Sequence, residues 1–151
     1  MNPRTLHNLT WIPIFLIGLS FSLLGISWVM AREPWLLDRA ANERLLAVGF
    51  ERLFQAEVNT RLPDYLTLSY RFFGWWMFSI GLLLMTYVQV TRMGTRLSRN
   101  AIHTVLAIII TGVYVIEFSF IPGSPFLWLT HLLTILFFIS VYSSQKLNRF
   151  D

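Results

Sequence analysis

Arg71, Tyr114, Glu117 and His131 are the residues of this chain whose chemistry is at odds with their apolar surroundings. Glu117 stands in "YVIEFSFIPG", a carboxyl group with hydrophobic neighbours on both sides, and His131 follows fourteen positions later in "FLWLTHLLT". A carboxylate beside an imidazole can move a proton, and a carboxylate beside a guanidinium forms an ion pair. Ionisable residues inside a membrane segment are costly, so they face other protein groups or a cavity and are functional candidates by default. The readings to be weighed are a structural ion pair, a small-ligand or proton-handling pocket, and catalysis.

Whether these four side chains can meet depends on the elements that carry them. Only 13% of the residues are charged and 55% are hydrophobic, against roughly 25% charged in a soluble domain. Apolar runs cover residues 11–30, 66–90, 101–121 and 125–142, with Arg71 and Glu117 the only charges inside them. Each approaches or exceeds the roughly 18 to 20 residues that cross a bilayer as an α-helix. A backbone in lipid must satisfy its own hydrogen bonds, and these runs lack the alternation of barrel strands. The fold class expected is therefore all-α: an integral membrane four-helix bundle in one domain, residues 1–151. The first run is too long for the hydrophobic part of a signal peptide, and "SWVMAREP" offers no small-x-small cleavage site. With no cysteine, disulfides and thiolate chemistry are excluded.

Basic residues suggest an orientation. The N-terminus, "TRMGTRLSRN" and the tail carry Arg4, Arg92, Arg96, Arg99, Lys146 and Arg149, with Asp151 as the one acid. Residues 31–65 carry Arg32, Arg39, Arg44, Arg52 and Arg61 among Glu33, Asp38, Glu43, Glu51, Glu57 and Asp64. Basic residues favour the cytoplasmic side, so both termini are expected there, in the cytoplasmic membrane, with 31–65 outside. Arginines beside spanning helices meet anionic lipid, which accounts for the net charge of +4 without a nucleic acid partner.

Residues 31–65 read as an outer amphipathic helical connection between the first two spans. Pro34 suits a first helical position after Glu33, and Pro63 closes the far end. Leu46, Phe50, Leu53, Phe54 and Val58 share one face, and Leu37, Ala41, Leu45 and Val48 another. The change falls near Gly49, predicting two short helices or a kink, on the membrane surface or over the bundle. Trp35 suits an interfacial position. Gly18, Ser22 and Gly25 on the first span, and Gly74 and Gly81 on the second, form stripes that permit close helix contact. Pro13 is read as a first-turn proline.

Antiparallel helices joined by short turns fix depth. A turn near residue 95 sets Arg71 level with about 119, and the "IPGSP" turn sets Glu117 level with about 130. Arg71, Tyr114, Glu117 and His131 thus converge in depth from three helices, and Arg71 is the expected partner of Glu117. Trp75, Trp76, Tyr114 and Trp128 are the candidate walls of an aromatic cavity. His103 and His131 sit at opposite ends, roughly 15 Å apart in depth at 1.5 Å per residue, too far for one metal or haem. No HExxH, phosphate loop or Ser-His-Asp arrangement is present, so no catalytic residue, cofactor or metal is expected.

The helix pattern, the proline-containing connection, "YRFFGWWMFSIGLLL" with its arginine followed by glycines, and a polar residue before "PGSP" resemble the DoxX-like group of small four-helix membrane proteins over roughly residues 9–147. The resemblance implies a four-helix integral membrane protein, often without an assigned activity, and carries over no catalytic residue. Two functions stay open. One is a non-enzymatic accessory subunit, or a binder of a small apolar ligand, whose partners are the bilayer and an apolar ligand or membrane subunit. The other is a compact membrane enzyme, an isomerase or redox-complex component, using Glu117 and His131.

Overall fold

The computed structural model describes residues 2–150. They form six α-helices: α1 (Pro3–Met30), α2 (Arg39–Leu46), α3 (Phe50–Gln55), α4 (Leu62–Thr91), α5 (Arg96–Phe120) and α6 (Phe126–Leu147). Two short 3-10 turns, Pro34–Asp38 and Glu57–Asn59, complete the connection between α1 and α4. No strand occurs among the described residues. Helices α1, α4, α5 and α6 are long and apolar enough to cross a membrane. The chain is an integral membrane protein by that measure, and each helix outruns the apolar run that predicted it.

Each end has a local cause. Asn2 accepts from the Arg4 amide at 2.9 Å and caps α1. Thr95 and Ser98 form a capping box at the start of α5. Between α4 and α5 the chain reverses through Arg92 and Met93, both in the left-handed region (φ 49° and 51°), which tucks the Met93 side chain fully out of solvent. Pro13, read as a first-turn residue, lies inside α1 because that helix begins ten residues earlier, at Pro3.

Helix α1 is the centre of the assembly, packing on α4 and on α6, while α5 rests chiefly on α6. The α1–α4 seam is the glycine contact expected from the stripes. A Cβ added at Gly81 would stand 2.6 Å from the Ser22 amide nitrogen, and one at Gly74 would stand 2.7 Å from the Gly25 carbonyl oxygen. Bare glycine thus brings the two backbones together, as small residues do between helices in lipid.

At the end bearing both termini the space between helices is filled. Ile14, Ile17, Leu84, Val88, Ile102, Leu106 and Phe137 form one buried cluster with Met93. Polar side chains there pair with one another: His103 Nε2 meets Ser140 Oγ at 2.8 Å, and the Ser140 hydroxyl in turn donates to the Thr10 carbonyl. Arg99, fully buried, donates to the Met93 carbonyl at 3.2 Å and to Asn148 Oδ1 at 2.6 Å.

The connection between α1 and α4 folds over the other end as a cap. It breaks where expected, at Ala47 (φ 55°) and Gly49. Trp35 is buried against Phe50 and Phe54, with ring centroids 6.4 and 5.6 Å away, and so makes the cap's own small core rather than an interfacial anchor. Of the predicted apolar faces only part is covered. Ala41 and Phe50 are buried, whereas Leu45, Leu46 and Val58 are exposed.

Candidate functional site

The depth argument set Glu117 level with about position 130 and named His131 there, but the residue that meets Glu117 is Thr130. Thr130, on α6, donates its hydroxyl to Glu117 Oε1 at 2.8 Å. Glu117 is only 4% exposed, and its second oxygen, Oε2, has no hydrogen-bond partner.

Arg71 does not pair with it. Arg71 is exposed, and the three ion pairs among the described residues, Arg39–Glu43, Arg39–Glu51 and Arg61–Asp64, all lie in or beside the cap. The cause is azimuth. One residue turns a helix by about 100°, and Arg71 is one residue past Tyr70, which does face inward. His131 fails for the same reason, one residue past Thr130. It is exposed, stacked edge-on against Tyr114 at 5.4 Å and beside Trp128 at 6.0 Å, with Nδ1 turned to the Leu127 carbonyl. Tyr114 bridges α5 to α6 through a 3.0 Å contact between its hydroxyl and that of Thr134. Of the four candidates, Glu117 alone belongs to the site.

What Glu117 faces is a partly enclosed cavity of about 310 Å³ at the cap end. Helix α1 contributes Phe21, Leu24 and Trp28, and α4 contributes Tyr70, Phe73 and Met77. Val113, Ile116 and Glu117 come from α5, and Phe126, Leu129, Thr130 and Leu133 from α6. Trp75, Trp76 and Trp128 stand outside, 58%, 55% and 80% exposed, so the expected aromatic wall is made by different rings. Trp28 packs its ring on Phe73 at 5.1 Å and on Phe126 at 5.4 Å.

The cap supplies the roof, through Asp38 and Asn42. Asn42 Nδ2 donates to the Tyr70 hydroxyl at 2.9 Å and to the Trp35 carbonyl at 3.2 Å, tying α2 to α4. Ser124, in the α5–α6 turn, donates to Asp38 Oδ2 at 2.7 Å, tying the cap to the opposite side. Asp38 is 6% exposed, and its other oxygen, Oδ1, is unpartnered. Burial raises the Asp38 carboxyl above its ordinary range, and the Ser124 hydrogen bond offsets this in part. Trp28 Nε1 is likewise buried without a partner. Two acceptors and one donor on residues that line the cavity are therefore buried without a partner.

Sequence reasoning missed Asp38, Asn42, Tyr70, Trp28 and Thr130. Thr130 had a signal, since the depth argument ended on its position. Asp38 had none, being one of six acids spread along the outer connection. Among the described residues no group of three or more histidines and acids is placed to hold a metal ion.

Comparison of the chain with protein-family models, with curated proteins and with solved structures finds no match in any of the three.

Proposed function

We propose that the chain is a four-helix membrane bundle that binds one small, mainly apolar molecule in the cap-end cavity, as a non-enzymatic binding or accessory protein. The observation that carries this reading is the cavity itself. Its volume lies at the lower end of the range for small-molecule sites, and an apolar wall with a few convergent polar atoms is their usual make-up. Unpartnered buried polar atoms are costly, so Glu117 Oε2, Asp38 Oδ1 and Trp28 Nε1 have most to gain from a ligand. The enzyme alternative loses its base, because His131 lies outside the space that Glu117 faces. The reading rests on the cavity and draws nothing from the likeness to DoxX-like proteins.

Native mass spectrometry of the protein extracted from membranes in mild detergent tests it. Wild-type protein is expected to carry a bound small molecule, and Val113→Trp, which fills the cavity from α5, is expected to lose it. Wild-type protein that carries nothing, or a bound mass indifferent to Val113→Trp, would reject the proposal.

We also propose that both termini face the cytoplasm, which puts the cap and the cavity on the external side. The cysteine-free sequence allows single cysteines at Ser98 and Asn59 to be probed with an impermeant thiol reagent in intact cells. Labelling at 59 but not 98 is expected, and the reverse pattern overturns the orientation.

A further inference from the structure

We infer that the occupant of the cavity is an organic cation, a protonated or quaternary amine on an apolar body, with its nitrogen held between the carboxylates of Glu117 and Asp38. This rests on the binding reading above and names the ligand class. The two acids come from distant parts of the chain, α5 and the cap, and converge on one space. Each is more than nine-tenths buried, and each already receives one hydroxyl hydrogen bond, from Thr130 and from Ser124. Both residues line the cavity, and the second oxygen of each is buried without a hydrogen-bond partner.

No protein cation stands between them, although exposed His131 acts on Glu117 through space. No arginine, lysine or histidine lines the cavity. Arg39 is engaged by Glu43 and Glu51, and Arg44 lies against Gly123 in the α5–α6 turn. On α6 the nearest titratable group is His131, which is exposed, and on α4 it is Tyr70, whose hydroxyl accepts from Asn42. Helix α1 offers no titratable group there.

An inorganic ion fits poorly. Calcium asks for six to eight oxygen ligands and magnesium keeps several waters, whereas this wall is largely hydrocarbon and aromatic ring. An amine has the complementary form. Its charge meets two carboxylates, its substituents meet the rings of Trp28, Phe73 and Phe126, and a cation over such rings gains further attraction. Burial raises the Asp38 carboxyl above its ordinary range, so a cation bound there competes with the proton. Affinity for a cation of fixed charge therefore rises with pH as Asp38 ionises.

The probes are a chain-length series of phenylalkyl-trimethylammonium ions, whose charge does not depend on pH, and the neutral carbon isosteres in which a tert-butyl group replaces the trimethylammonium. Binding to the full-length protein in detergent is read by titration calorimetry for the cations and by the shift in thermal unfolding for both series. At least one cation is expected to bind, more tightly with rising pH, and Glu117→Gln and Asp38→Asn are each expected to weaken it ten-fold or more. The stabilisation given by its isostere should be unchanged by either substitution. Equal binding of cation and isostere with no effect of the two variants, or binding of the isosteres alone, would overturn the cation while leaving the apolar-ligand reading standing. No binding in either series would overturn both. The pH dependence on wild-type protein needs no variant to fold, and a cation affinity that does not fall as pH is lowered through the carboxylate range rejects the inference on its own.

Discussion

The two ends of the helix assembly treat buried polarity differently. At the termini end His103, Ser140 and the Thr10 carbonyl form a closed chain of contacts, and Arg99 is held by Met93 and Asn148 around a filled apolar core. At the cap end Glu117, Asp38 and Trp28, which line the cavity, each keep a buried unpartnered atom. Satisfied polar contacts hold helices in place, and unsatisfied ones around a cavity are held in place by something else. That something is the α1–α4 glycine seam together with the cap, pinned at Tyr70 on one side and at Ser124 on the other. On the proposed reading, the difference separates a half that fixes the fold from a half that binds.

The largest effect should come from breaking the seam on which both halves depend. Gly81→Leu would drive a side chain into the backbone of α1, and overpacking of this kind costs about 3 kcal/mol. Thermal unfolding in detergent should drop steeply. Gly112→Ala, where nothing lies within 4 Å, should leave it where it was and so serves as the control.

Next in size is the satisfied half. Ser140→Ala removes a hydroxyl that serves both His103 and the Thr10 carbonyl, and stranding buried partners costs about 1–3 kcal/mol. The matching change at the other end, Glu117→Gln in ligand-free protein, should cost less than about 1 kcal/mol. The amide still accepts from Thr130, and no partner of Oε2 is lost. Equal losses in chemical or thermal denaturation would erase the contrast between the two ends.

A pH series sharpens it further. Burial raises the folded-state pKa of Asp38 above its unfolded value, so the folded protein holds that proton more tightly. The contribution is fully present below the ordinary carboxylate pKa and is lost as pH rises through the raised one. Melting temperature should therefore decline across that window, and Asp38→Asn should flatten the decline. A decline of undiminished slope in the variant would assign the dependence to another group.

The smallest effects belong to the residues that depth alone had recruited. Arg71→Leu and His131→Phe, both exposed, should each shift stability by no more than about 0.5 kcal/mol. The double variant of Arg71→Leu with Glu117→Gln should equal the sum of the singles, since the two side chains form no ion pair. A coupling energy well above the error of the cycle would restore the ion pair.

Much of the architecture was already written along the chain. Apolar runs of spanning length dictated four long helices, because a backbone in lipid has few other ways to satisfy itself. The glycine stripes named the α1–α4 contact, and Gly49 marked the break in the cap. Turn position and the rise per residue matched Glu117 to position 130 in depth. Tertiary structure alone decided rotation about each helix axis and the choice of neighbours. Tyr70 and Thr130 face inward while Arg71 and His131, one residue and about 100° further round, face out. It also decided that α1 stands between α4 and α6, and that the cap folds back so that Asp38 comes down over Glu117. Depth is a one-dimensional quantity set by counting residues, whereas facing is set by which helices pack together, and a cavity exists only where several facings agree.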